Sequence, residues 1–155
     1  MLARHSSILS LVVLSCIMAI GLSGWLGKPV SQISIEEAGA RLTIEMPAAI
    51  RNGDFYETRI RVRALQDIGK LQIEVSPELW REVTVNSMIP SPESETFEGD
   101  SFRFEFTSLD ADKEFLFKIA SQINPRLIGK LEGHIRVLDD GRVLADTART
   151  MRVFP

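Results

Sequence analysis

The hydrophobic pattern of this chain changes character once. From Ser6 to Gly27 it runs without a charge, as SSILSLVVLSCIMAIGLSGWLG, and beyond Lys28 it alternates. In Arg41-Leu42-Thr43-Ile44-Glu45-Met46 the residues Leu42, Ile44 and Met46 share one face. In TRIRVRA, Thr58 to Ala64, Ile60 and Val62 oppose Arg59, Arg61 and Arg63. The same period recurs at Leu71, Ile73 and Val75, at Val83 and Val85, and at Phe102, Phe104 and Phe106. It recurs again at Phe115, Phe117 and Ile119, at Ile135 with Val137, and at Met151 with Val153. Successive side chains of an extended chain point to opposite faces, so period-two alternation predicts half-buried strands.

The punctuation fits strands. Asn52-Gly53-Asp54 and Asp139-Asp140-Gly141 are strong tight-turn signals, and Glu98-Gly99-Asp100 is a weaker one. The second of these joins LEGHIRVL to RVLADTARTMRVF and predicts a C-terminal hairpin. Pro77-Glu78-Leu79-Trp80 fits one helical turn, and the two prolines of Ile89-Pro90-Ser91-Pro92-Glu93-Ser94 predict a loop or a protected edge. There is no long amphipathic helix and no internal repeat. Short strands at this spacing over residues 41–155 predict an all-β, immunoglobulin-like antiparallel β-sandwich, with a barrel as the alternative, after a linker and first strand at 28–40. One apolar segment followed by one such domain resembles the layout of bacterial membrane-anchored immunoglobulin-like modules. The resemblance is of layout alone and assigns no residue a role.

The apolar segment is expected to be an uncleaved transmembrane anchor over residues 7–27, after a short head at 1–6. A helix of roughly 20 apolar residues crosses a hydrocarbon core. Trp25 sits where an interfacial aromatic belongs, and Lys28-Pro29 supplies a charge and a helix stop. Two alternatives stay open: cleavage after export near Ala19-Ile20-Gly21, and lipidation of Cys16 in Val13-Leu14-Ser15-Cys16, although the residues after Cys16 remain apolar. A short head and long tail place the N-terminus inside and the domain outside a cell membrane, in the periplasm of a Gram-negative cell. Ser15, Ala19, Ser23 and Gly27 recur every fourth residue and form a candidate helix-packing face for a homo-oligomer or another membrane subunit.

Charge and chemistry narrow the function classes. The chain has 155 residues and a formal net charge of −3, with Arg4 the only Lys or Arg ahead of the apolar run. The mildly acidic domain excludes the basic balance of a nucleic-acid binder. The only cysteine, Cys16, lies in the apolar run, so the domain holds no disulfide or thiolate site. His5 lies in the head, and His134 falls on the outward phase of a strand. There is no Ser-His-Asp arrangement, no histidine pair and no glycine-rich phosphate loop. Asp110, Asp112, Asp139, Asp140 and Asp146 lack the fixed spacing of a calcium loop. No catalytic, metal or cofactor site is expected.

The expected function is therefore non-enzymatic binding, as an accessory or assembly component of a membrane or envelope protein complex. The alternative is a module for envelope polysaccharide. Two surfaces are candidates for partner binding. Arg59, Arg61 and Arg63 form a row with a spacing of roughly 7 Å, suited to an acidic partner or anionic headgroups unless cross-strand acids such as Glu74 or Glu105 neutralise it. Trp80 with Tyr56 would contact protein or sugar if exposed; otherwise Trp80 plugs the end of the core.

Overall fold

The computed structural model describes residues 8–23, 30–37 and 39–155. Its strands form two sheets packed face to face. Sheet one runs in the order β1 (Val30–Glu37), β2 (Ala40–Pro47), β4 (Phe55–Ala64), β9 (Glu114–Ile123) and β6 (Val83–Ile89), all antiparallel. Sheet two runs β3 (Ala49–Arg51), β11 (Arg142–Phe154), β10 (Gly129–Asp139), β5 (Leu71–Val75), β8 (Ser101–Glu105) and β7 (Ser94–Glu98), with β3 parallel to β11.

The alternating positions meet between the sheets. Leu42, Ile44, Ile60, Val62, Phe117 and Ile119 come from sheet one; Leu71, Ile73, Phe104, Leu131, Val137 and Met151 come from sheet two, and all are buried. Apolar surface removed from water contributes roughly 25 cal/mol per Å², so this interior supplies most of the driving force. Strand β5 departs from simple alternation because Gln72 and Glu74, on its outer phase, are buried too.

Turn chemistry sets the connections. Asp140 and Gly141, both at positive φ, close the β10–β11 hairpin. Gly99 and Asp100, at φ of 56° and 62°, close the β7–β8 hairpin in the same way, so the weaker turn signal also makes a tight hairpin. The Asn52-Gly53-Asp54 turn instead carries the chain from β3 in sheet two to β4 in sheet one.

The described residues do not support the expected transmembrane span. Helix α1 covers Ile8–Leu22, 15 residues, and its side chains are exposed along its whole length. At 1.5 Å per residue it measures about 22 Å, against a hydrocarbon core of about 30 Å. No helix among the described residues is long and apolar enough to cross a membrane. Of the small-residue row, Ser15 and Ala19 lie in α1, and Ser23 lies in the turn after it. Gly27, Trp25, Lys28 and Pro29 lie outside the described residues.

One glycine decides how sheet two receives the 3-10 turn η1 (Pro77–Trp80). A Cβ on Gly133 would lie 2.9 Å from the Ser76 Oγ and 3.0 Å from the Leu79 Cγ. Its absence lets Ser76 lock onto β10, accepting from the His134 amide at 2.5 Å, and lets Leu79 enter the core at 3% exposure. Gly133→Ala is expected to destabilise the domain by about 1–3 kcal/mol through overpacking, measured by chemical denaturation.

Candidate functional site

Aromatic rings run in an unbroken path from the centre of the sandwich to one of its sides. Phe115 packs on Phe106 at 4.7 Å between centroids, Phe106 on Phe117 at 4.9 Å, and Phe117 on Phe104 at 5.7 Å. Trp80 then packs on Phe104 at 5.6 Å and on Phe102 at 5.2 Å, and Phe102 packs on Phe97 at 5.1 Å. All are tilted or edge-to-face, as ring quadrupoles favour. Exposure rises along the path, from 0% at Phe117 through 2% at Phe104 to 57% at Phe97.

The path ends in solvent because the two sheets end differently. Strand β6 is the last strand of sheet one and β7 the last of sheet two. The register Phe97↔Phe102 and Glu95↔Phe104 puts Phe97 and Glu95 on the inward phase of β7, with the core rings. Between the edges lies a cleft of about 430 Å³, walled by Val83, Val85 and Met88 of β6, by Trp80, and by Phe97 and Phe102. The loop from Ile89 to Ser94 joins the two edge strands, and its prolines offer no amide for pairing. The lining holds a single titratable group, Glu95, so it contains no acid–base pair. Its chemistry is that of an apolar docking surface with one carboxylate.

The residues expected to bind a partner are distributed elsewhere, apart from Trp80. The arginine row lies on the outer face of sheet one. Arg59 meets Glu57 at 2.6 Å and Glu45 at 3.7 Å, Arg61 meets Glu114 at 3.2 Å, and Arg63 meets Asp112 at 3.6 Å. The hydrogen bond that Arg59 Nε donates to the Glu57 carboxylate holds the guanidinium above its ordinary range. The neutralising acids thus come from sheet one and from the turn that leads into β9. Glu74 and Glu105 lie in sheet two and serve cations there.

Tyr56 is a correction. It is 9% exposed and sits in the core rather than on a contact surface, and burial pushes its phenol up to about 12. Trp80 is half-buried and lines the cleft, while Leu79 beside it fills the core end. Phe97, Met88 and Glu95 carry no sequence pattern that marks them, and Phe102 is legible only as an alternating strand position.

The outer face of sheet two carries a row of alternating charge across four strands. Arg103 of β8 opposes Glu74 of β5, Glu74 opposes Arg136 of β10, and Arg136 opposes Asp146 of β11. The separations are 2.7, 3.8 and 3.0 Å, and His134 Nδ1 stands 2.9 Å from Asp146. Burial pushes the Asp146 carboxyl up, but hydrogen bonds from His134 and Arg136 outweigh this and hold it below the ordinary range. Each charge in the row is matched, which explains how β5 buries Glu74. Among the described residues no three His, Cys, Asp or Glu side chains group to hold a metal.

No protein family and no curated protein matches the chain in sequence. Solved structures do resemble it in shape. The CARDB domain of a Pyrococcus furiosus protein, solved in complex with di-metal ions, is 12% identical, with a TM-score of 0.50 over 77% of this chain and 93% of that one. What is shared is the fold. CaCohA2 from Clostridium acetobutylicum is 12% identical over 76% of this chain and 92% of its own, with a TM-score of 0.49. A non-cellulosomal cohesin from Archaeoglobus fulgidus is 12% identical over 81% and 91%, with a TM-score of 0.44. The all-β two-sheet sandwich rests on the strand pairing and on the likeness to the CARDB domain, and it departs from the expected fully antiparallel form only in the β3–β11 pair among the described residues.

Tyr56 is the only tyrosine, so its titration is readable alone. Native protein is expected to form tyrosinate near pH 12, and unfolded protein near pH 10. Between those values the unfolded state binds fewer protons than the folded one, so stability falls as pH rises. Tyr56→Phe should remove that part of the alkaline loss, measured as the pH dependence of the denaturation midpoint.

Proposed function

We propose that this chain is a non-enzymatic binding module whose β6–β7 cleft docks a protein partner, within a membrane or envelope complex. The observation that carries the reading is Phe97, a ring continuous with the core that stands 57% exposed over an apolar cleft. Clustered aromatics in a pocket are where interfaces concentrate binding energy. The matched charges on the outer face of sheet one make the arginine row a weaker docking surface. In this reading the apolar segment holds the domain at a membrane, with the N-terminus inside and the domain outside. The unbroken absence of charge from Ser6 to Gly27 supports a place at a membrane, the short head and long tail support the orientation, and an N-terminal tether raises the domain's local concentration near its partner.

The polysaccharide reading is less well supported. It needs open ring faces, whereas Trp80 is packed at a tilt against Phe102 and Phe104, and Tyr56 is buried.

Phe97→Glu tests the docking reading. Losing the ring contact with Phe102 should cost about 0.5–1.5 kcal/mol and leave the domain folded, checked by chemical denaturation. Partner affinity should fall at least about tenfold, the cost of a charge in an aromatic hot spot. Unchanged affinity for the partner recovered with the wild-type chain would count against docking in the cleft.

A further inference from the structure

The cleft has the shape of a missing strand. Sheet two carries six strands and sheet one five. Residues of β6 and the inward face of β7, where Glu95 and Phe97 lie, line one cleft, so a strand added roughly 4.8 Å beyond β6 would enter it. Among the described residues β6 pairs only with β9, which leaves its other edge with unpaired amide and carbonyl groups.

Charge selects the kind of chain that fits there. The stretch SPESETFEGD, from Ser91 to Asp100, holds Glu93, Glu95, Glu98 and Asp100 and no basic residue. Glu98 is taken by Arg103 at 2.9 Å. Among the described residues Glu95 has no ion-pair partner, and it points into the cleft. A second copy fits poorly: two β7 strands would set like charges against each other, and the β6 sequence VTVNSMI brings no base to Glu95.

We propose that the occupant is an extended segment of another protein, added as a strand along the free edge of β6. Alternate apolar side chains would face Phe97 and Phe102, and a lysine or arginine on the same phase would meet Glu95. This rests on the protein-docking reading above. Main-chain hydrogen bonds along the edge supply affinity, and the alternating pockets supply specificity.

The test uses the full-length chain in mild detergent, with Trp25→Phe so that emission reports Trp80 alone. The probes are an extended peptide of alternating valine and threonine with one central lysine, the same peptide with glutamate for lysine, and a version interrupted by proline. The lysine peptide should shift Trp80 emission and slow amide exchange along β6. The glutamate peptide should bind at least tenfold more weakly, the proline version should not bind, and Glu95→Lys should reverse the charge preference.

Emission shifts without protection of β6 would overturn strand addition, as would a preference that Glu95→Lys leaves unchanged. Failure of every peptide to bind would also overturn it. If Phe97→Glu still abolished partner binding in that case, protein docking would stand and only the strand mode would fall.

Discussion

The aromatic path from Phe117 to Phe97 is the constraint on which the rest of the structure depends. Each ring needs a neighbour at about 5 Å, and each neighbour comes from a different element: β9, β8, the 3-10 turn and β7. Trp80, the link between interior and edge, sits where it does because η1 lies against β10. That contact exists because Gly133 has no Cβ to strike Ser76 and Leu79. A single glycine in sheet two therefore sets one wall of the cleft. Sequence, packing and the candidate site are connected through that contact.

The two sides of the sandwich are finished in opposite ways. On one side the chain steps from β2 in sheet one to β3 in sheet two, and β3 joins β11 in parallel. There the buried Arg149 of β11 donates to the Ser31 carbonyl of β1 at 3.1 Å, tying the sheets together, and burial alone pulls its guanidinium below the ordinary range. On the other side a proline-bearing loop joins β6 to β7, and among the described residues no strand lies between them. Sheet edges left unpaired are a liability unless they are guarded or used. In the proposed docking mode the acids of β7 disfavour a second copy at this edge and set the charge that an added strand would bring.

Much of the fold was legible. The inward faces of β2, β4, β8, β9 and β11 follow directly from alternation, since one face of each had to be buried. The cleft was not legible. β7 is five residues long, which leaves Glu95 and Phe97 on its inward phase, and one apolar residue among acids carries no period. The arginine row could be read as one face, but its partners could not. Those depend on β4 lying between β2 and β9, a long-range pairing that no local pattern encodes. Tyr56 was misplaced despite an available signal: it shares the phase of Thr58, Ile60 and Val62, which points inward. Within the described part of the apolar run the helix covers Ile8–Leu22, because an uncharged stretch bounds where a helix can form without fixing its ends.

The central claim is that the partner contacts the molecule at the β6–β7 cleft. The most direct measurement is site-specific photo-crosslinking in the living producing cell, with a benzoylphenylalanine replacing Phe97 in one strain and Arg61 in another. The account predicts one discrete adduct from the Phe97 position and none from the Arg61 position on the charged outer face. An adduct from the Arg61 position alone would contradict it and return partner binding to the arginine face.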